Sequence, residues 1–562
     1  MTKLRASSLV LGAMLCAAFA SGLYAQNLAP SSAGGGGDDK KPAKTDTKKT
    51  PTTEEQVAAL AEQMKKMQEV IDSQQQKIDA LEKERSFATT GSVPRMDDAE
   101  NSASKTTRPV IKDGNDDGLN IHIGDATITP TGFVDLTAVF RSRNTGNTTG
   151  TNFGSIPFPN QVQGFLSETR LAAINSQLGL KVTGKFGKND VTGYVEMDFV
   201  GNDASNVFVT TNSHTDRMRL FWVDVRRGKH EFVAGQTWSL LTPNRHGLGP
   251  ENEDVFVTNN IDRSYQVGLV YARQAGFRFI YHPSSRWSVG FAAENPQQYV
   301  GVGEVIFPFA YNAQLGIQFD AGNNPGAPNL MPDLIGKVAY DSHGGRIHVE
   351  TAGFMRAFKF GYVLLGGPGC APPSIKCSTT TGWGGGGSVN AVIGITDKFR
   401  FVSNNFGSAG GGRYIGGLGP DLVVAVDSAN VPHIRTVDSY STLQGFEANA
   451  GDKWMFDAYY GASYFRRNSS PDPTNPVPGR TSGFGASNSP NSANRAIQEF
   501  TFGSTYTAWR DPKWGALQWL TQGSYVTRSP WFVALGAPTN AHTLMIFTSL
   551  RYVFPGKAPD YK

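Results

Sequence analysis

The chain has 562 residues, 39% of them apolar, with 64 glycines and a formal net charge of +4. That apolar share is low for a large dry core, and from residue 27 onward no run approaches the roughly 20 uninterrupted apolar residues of a membrane helix. The near-neutral charge argues against nucleic acid as a partner. If the chain enters a membrane, it does so as a closed barrel, the other architecture that satisfies every backbone group.

Residues 1–25 read as a secretory signal. Lys3 and Arg5 form the positive start, Leu9 to Ala20 the apolar centre, and Ala18-Phe19-Ala20 or Leu23-Tyr24-Ala25 the small-residue exit. Its removal takes away those two cations and lowers the charge from +4 to +2. Residues 26–52 are rich in Gly, Lys, Asp, Thr and Pro and predict a disordered linker. The period then changes. Val57, Leu60, Met64, Met67, Ile71, Gln74, Ile78 and Leu81 follow an a/d spacing, predicting a coiled coil over 53–85. The mixture of Met, Gln and Ile in that seam does not choose between dimer and trimer. Residues 86–118 return to polar linker.

Residues 119–562 predict an all-β transmembrane barrel of about 16 antiparallel strands. In the last stretch Leu544, Ile546, Leu550, Tyr552 and Phe554 share one parity, while Ser549 and Arg551 fall on the other. One apolar face with aromatic ends and one polar face is how a barrel reads with lipid outside and water inside. Short turns such as Lys185 to Asp190 and Asp511 to Lys513 alternate with long stretches. Those are Thr145 to Leu166, Gly201 to His214, Thr242 to Ile261, Pro296 to Leu330, Phe360 to Gly387 and Arg467 to Arg495. The weakest boundaries lie between Tyr265 and His282 and between Phe399 and Asp438, so fourteen or eighteen strands stay open. Trp222, Trp454, Tyr464, Trp509, Trp514, Tyr552 and Phe554 are the expected interfacial girdles. Cys370 and Cys377 lie in a Gly/Pro-rich stretch and read as a loop-closing disulfide or as two free thiols.

Parity also selects the lumen. Asp135, Thr137 and Arg141 oppose Val134, Leu136 and Ala138; Glu196 and Asp198 oppose Val195 and Met197; His348, Glu350 and Arg356 oppose Ile347 and Val349. A charge on the lipid face costs about 2–4 kcal/mol at mid-membrane. For Arg217 and Arg219 parity is ambiguous, since Phe221 and Val223 share it. The third long loop, Thr242 to Ile261, is expected either to fold inward as a constriction or to lie outside on the surface. It carries Asn244, Arg245, His246, Glu251, Glu253 and Asp254, both signs of charge.

The layout resembles the DcaP-like trimeric outer-membrane porins. The echoes are Arg219-Leu220-Phe221-Trp222-Val223-Asp224-Val225, Ala234-Gly235-Gln236-Thr237-Trp238-Ser239, Ala272-Arg273-Gln274, Ala293-Glu294-Asn295-Pro296 and the ending Leu550-Arg551-Tyr552-Val553-Phe554. The resemblance implies a Gram-negative outer-membrane homotrimer passing small anionic solutes, with dicarboxylates the characteristic class. The tail Pro555 to Lys562 after the final Phe departs from it. A guanidinium can replace part of a carboxylate's hydration shell with two parallel hydrogen bonds. Arg219, Gln236, Arg245, Arg273 and Arg278 are therefore the expected anion-handling set, with wall salt bridges to Glu196, Asp198 or Glu350 as the bland alternative.

Three other readings compete. An enzyme would need a nucleophile elbow or a metalloprotease helix, and neither motif occurs; nothing in the sequence asks for a metal or another cofactor. A phosphate-selective or general porin would share the layout, the former with lumen cations on neighbouring strands. A coiled coil reaching peptidoglycan would make the barrel a tether to the cell wall.

Overall fold

The structure is a computed structural model and describes residues 119–201, 214–322, 326–364 and 377–555. The signal, both linkers, the heptad seam 57–81, Cys370 and the end of the tail lie outside the described residues.

Sixteen strands form the wall, numbered here in chain order. They are β1 (Ala126–Arg141), β2 (Glu168–Ala172 and Gln177–Phe186), β3 (Asn189–Asp198), β4 (Arg217–Arg227), β5 (His230–Trp238), β6 (Arg273–Ser284), β7 (Trp287–Glu294) and β8 (Asp333–Asp341). They continue as β9 (Ile347–Val363), β10 (Cys377–Thr396), β11 (Phe399–Ala409), β12 (Asp438–Ala450), β13 (Trp454–Phe465), β14 (Asn494–Asp511), β15 (Gly515–Pro530) and β16 (Ala541–Val553). Each pairs antiparallel with its sequence neighbour, and β16 returns to β1 from Phe133↔Val553 to Arg141↔Met545. The sheet therefore closes and leaves no edge. Strand β2 counts once although it has two segments, both paired with β1. The gap between them is stitched by Asp135, whose N–H donates to Ser176 Oγ at 3.0 Å.

The sequence expectation of a sixteen-stranded barrel is met, with local corrections. Phe360 to Gly387 is not one long loop. Strand β9 runs on to Val363 and β10 resumes at Cys377, pairing from Ile347↔Ile393 to Val363↔Cys377. The glycines that mimic a turn, Gly384 to Gly387, sit within a strand because the neighbouring backbone is too close for side chains. A Cβ on Gly386 would lie 2.3 Å from the Gly407 carbonyl oxygen. The uncertain stretch after Phe399 is strand only to Ala409. A loop follows, carrying a hairpin of Leu422–Val426 against Pro432–Thr436. The Tyr265 to His282 boundary falls at Arg273.

Alternation decides which face meets lipid. Val134, Leu136, Phe140, Phe277, Phe279, Phe291, Trp519, Leu544, Ile546 and Leu550 are exposed on the outside. Asp135, Thr137, Arg141, Glu350 and Arg356 are buried inside. Trp454, Trp509, Trp514 and Tyr464 are exposed near strand ends, as girdle residues should be. Trp222 is not among them; it is buried inside and stacks on Tyr194 at 5.3 Å.

Leu136 lies midway along β1 on the outer face, so Leu136→Arg is expected to cost about 2–4 kcal/mol of folding free energy. Equilibrium unfolding in urea with lipid vesicles would measure it, and the lumen-facing Thr137→Ser should cost far less.

Candidate functional site

A sixteen-stranded wall is too wide for its own side chains to fill, and the interior is occupied by loop 239–272, which leaves β5 and returns to β6. This is the inward arrangement of the two the sequence left open. The segment 244–255 folds on itself through an antiparallel bridge between Asn244 and Val255. From there its backbone is received by one wall strand after another. Lys337 of β8 donates to the Thr242 carbonyl at 2.7 Å, and the Asn244 N–H donates to Glu350 of β9 at 3.2 Å. Arg278 of β6 donates to the Leu248 carbonyl at 3.0 Å. The Val267 N–H donates to Glu499 of β14 at 2.9 Å, and the Ile261 N–H to Gln522 of β15. Side chains add to this. Asn252 donates to Glu196 at 2.7 Å, and Asn259 donates to the Tyr459 hydroxyl at 3.0 Å. These backbone N–H groups thus find acceptors on the wall, as a loop withdrawn from bulk water requires.

Two glycines set how tightly the loop lies on the wall. A Cβ on Gly461 of β13 would fall 1.7 Å from the Val267 carbonyl oxygen, and one on Gly268 would fall 2.1 Å from that of Thr442. Gly268 also has φ +88°, a conformation glycine adopts without cost.

The expected anion-handling residues fall into different settings. Arg219 reaches the lumen by a bulge: Glu196 pairs with Leu220 and Met197 with Met218, so Arg219 is the extra residue. The bulge lets Arg219 and Leu220 both be buried while Met218 and Val223 stay exposed, which resolves the parity conflict. Arg219 then pairs with Glu196 at 2.7 Å and with Asp198 at 2.9 Å. Gln236 donates its amide to the Arg219 carbonyl at 2.8 Å, a stitch within the wall. Arg245 holds both oxygens of Glu447 at 2.9 Å and lies over the Phe256 ring. Arg278 is buried and also donates to the Trp238 carbonyl at 2.6 Å. Arg273 opens β6 with its guanidinium 5.5 Å from the Trp238 ring centroid, and among the described residues no carboxylate lies within ion-pair distance of it. Cys377 is disulfide-bonded.

Sequence reasoning missed a second inward loop. In 410–437, Arg413 pairs with Asp333 at 2.9 Å, and Arg356 of β9 pairs with Asp421 at 2.9 Å. Tyr414 accepts the Tyr271 N–H through its carbonyl at 3.0 Å, locking this loop to loop 239–272. The Gly-rich run 410–412 before Arg413 was the available signal, since it places backbone where side chains would clash. These loops, with 142–167 and 295–332, line an open cavity of about 440 Å³ bordered in part by Phe153, Arg263, Gln266, Tyr271, Tyr299 and Leu418.

Four of the lumen ion pairs share an asymmetry, whereas pairs such as Lys337–Glu350 and Arg356–Asp421 are buried on both sides. Arg170, Arg217 and Arg400 keep 48%, 40% and 36% of their side-chain surface open, while their partners Glu168, Asp198 and Glu447 keep 4%, 4% and 2%. Arg551 and Asp135 repeat it at 20% and 0%. In Arg170, Arg400 and Arg551 the nitrogen nearest the carboxylate is Nε, at 3.2, 3.2 and 2.8 Å.

No protein-family model matches the sequence, and no curated protein sequence matches it. Solved structures do match in fold. The outer membrane channel DcaP of Acinetobacter baumannii aligns at 15% identity over 78% of this chain and 99% of its own, with a TM-score of 0.53. An anion-selective porin from Comamonas acidovorans aligns at 10% identity over 76% of this chain and 100% of its own, with a TM-score of 0.42. Salmonella typhi OmpF aligns at 8% identity over 78% of this chain and all of its own, also at 0.42. The first alignment shows that this chain shares the DcaP fold; the other two fall below the similarity on which a fold argument rests.

Two tests address the packing of the interior. Gly461→Val should push Val267 off the wall and raise single-channel conductance. Gly523→Val, where a Cβ meets nothing within 4 Å, should leave it unchanged. Glu304, in loop 295–332, is buried with Oε2 lacking a hydrogen-bond partner, and burial pushes its carboxyl well above the usual carboxylate range. Such a group gives its full stabilisation below the ordinary glutamate pKa and loses it as pH rises through the raised value. Protection factors of residues 296–306, which remove the base catalysis common to all amides, should therefore fall as pH rises above the ordinary glutamate range, and Glu304→Gln should abolish that fall.

Proposed function

We propose that this protein is an outer-membrane porin, a homotrimer of water-filled barrels through which small hydrophilic anions diffuse, with dicarboxylates as the preferred class. The fold shared with DcaP supports the barrel and the channel. The anionic preference rests on one observation: in the lumen pairs of Arg170, Arg217, Arg400 and Arg551 the carboxylate is buried and the guanidinium faces water. A diffusing ion therefore meets the cationic side of each pair.

The arrangement suits permeation. Arg170 and Arg217 lie toward the loop-bearing ends of β2 and β4, whereas Arg400 and Arg551 lie near the turns at the opposite end. Anions meet outward-facing guanidinium edges on both sides of the inward loop. Each arginine is already half-satisfied by its own carboxylate, so a passing anion is held weakly and released, as conduction requires. The trimer is proposed on the resemblance to DcaP-like porins, and the periplasmic coiled coil on the heptad spacing at 57–81, which does not itself choose between dimer and trimer.

Reversal potentials in planar bilayers under a KCl gradient test this reading. Wild type should favour chloride. The double variant Arg400→Gln, Arg551→Gln should lower the chloride-to-potassium permeability ratio by about fivefold, the effect of roughly 1 kcal/mol for one unit charge at contact in water. A cation-preferring wild type would refute the anionic assignment.

A further inference from the structure

Arg273 is unlike every other lumen arginine considered above. Arg170, Arg217, Arg219, Arg245, Arg400 and Arg551 each face a carboxylate. Arg278 is spent on backbone carbonyls. Arg273 has no hydrogen bond to a described residue; its contact is the face of Trp238. It is half-buried, so its N–H groups are neither sealed in protein nor lost to bulk water.

The surroundings are built rather than accidental. Trp238 is clamped by its Nε1 donating to Asn252 at 3.3 Å and by edge contacts to Tyr265 and Tyr271 at 6.1 and 6.3 Å. Arg219 lies over the same indole at 5.8 Å and donates to the Tyr265 hydroxyl at 3.2 Å. That hydroxyl accepts from Arg219 and keeps its own proton to donate. Tyr265 holds this position at φ +59°, a strained conformation for a residue with a Cβ. The charges do not balance. Arg217, Arg219 and Arg273 face Asp198 and Glu196, so three cations against two anions leave one positive charge.

We propose that Arg273, with the Tyr265 hydroxyl and the Trp238 face, forms a carboxylate subsite at the rim where loop 239–272 joins β6. The planar fork of Arg273 gives two parallel hydrogen bonds to one carboxylate, and the stacked indole fixes the plane of the fork. A carboxylate places one oxygen on each arm, whereas chloride must share a single atom between both, so this subsite favours carboxylates over chloride where the remaining lumen arginines distinguish charge. It rests on the anion-porin reading and adds a stereochemical filter to it.

The test uses full-length refolded protein in planar bilayers, with reversal potential in KCl and current block by added sodium succinate read on the same channels. For wild type, succinate should reduce chloride current reversibly. Arg273→Gln should raise the half-blocking succinate concentration about tenfold and, with an unpaired charge gone, also lower the chloride-to-potassium ratio. Arg273→Lys, which keeps the charge and loses the fork, should hold the chloride-to-potassium ratio close to wild type and be nearly as poor in succinate block. Heat-modifiable migration of each variant confirms that the barrel has folded. Equal block in wild type and Arg273→Gln overturns the subsite, as does full block in Arg273→Lys. A chloride-preferring wild type that succinate does not block overturns the subsite and leaves the porin reading standing. A wild type without chloride preference removes the reading beneath it.

Discussion

The interior depends on one requirement: loop 239–272 crosses a lumen that side chains alone cannot fill, and every backbone group it carries inward must be satisfied. Wall carboxylates and amides meet that requirement. Glu350 receives Asn244, Glu499 receives Val267 and Gln522 receives Ile261. Glu447 takes the loop's Arg245 with both oxygens. Acceptors that serve a buried loop must themselves be buried, and Glu350, Glu447 and Glu499 are. Glu447 joins this role to a second one, since it also pairs with the half-exposed Arg400 on its water side.

Buried ion pairs of this kind are not a simple source of stability. Desolvating Lys337 and Glu350, which meet at 2.8 Å, costs about as much as their attraction returns. Their value is in specifying position. Lys337 also donates to Thr242 and Asn244, and Glu350 also accepts from Asn390 and pairs with His348. A loop displaced by one residue would strand several of these groups without partners, each at a cost of about 1–3 kcal/mol. Register of the loop is therefore held more firmly than its modest apolar content would suggest.

Much of the wall was legible from sequence because a strand in a barrel obeys a period of two under a large penalty for error. Asp135 against Leu136, or Glu350 against Val349, can be assigned without coordinates. The reading failed where that period is interrupted. At Arg219 a bulge inserts one residue, and no residue type in the run from Arg217 to Val223 announces it. At Gly384 to Gly387 the absence of side chains reads as a turn although the backbone is strand. Trp222 looked like a girdle residue because tryptophan suits an interface, yet its parity with Leu220 places it beside Tyr194 inside. Pairing was less accessible still. Nothing in the sequence tells that Arg245 finds Glu447, some two hundred residues away, or that Arg273 finds no acid.

The pairing of most lumen arginines does not cancel their influence on an ion in the lumen, and the reason is geometric. A pair whose anion is buried and whose cation faces water is a dipole with its positive end outward. An ion in the lumen stands closer to the guanidinium than to the carboxylate, and the two contributions do not cancel at short range. Ionic screening acts over about 8 Å at physiological salt, whereas an ion within hydrogen-bonding reach of Arg400 or Arg551 lies well inside that distance. Low-dielectric walls on all sides strengthen the effect by confining the field to the channel. Four such dipoles on the two sides of the inward loop add, because they point the same way relative to the lumen. Arg273, with no acid behind it, contributes a full charge rather than a dipole. Under the anion-porin function proposed above, charge preference would be spread over the whole path, with discrimination among anions concentrated at the rim where loop 239–272 meets β6.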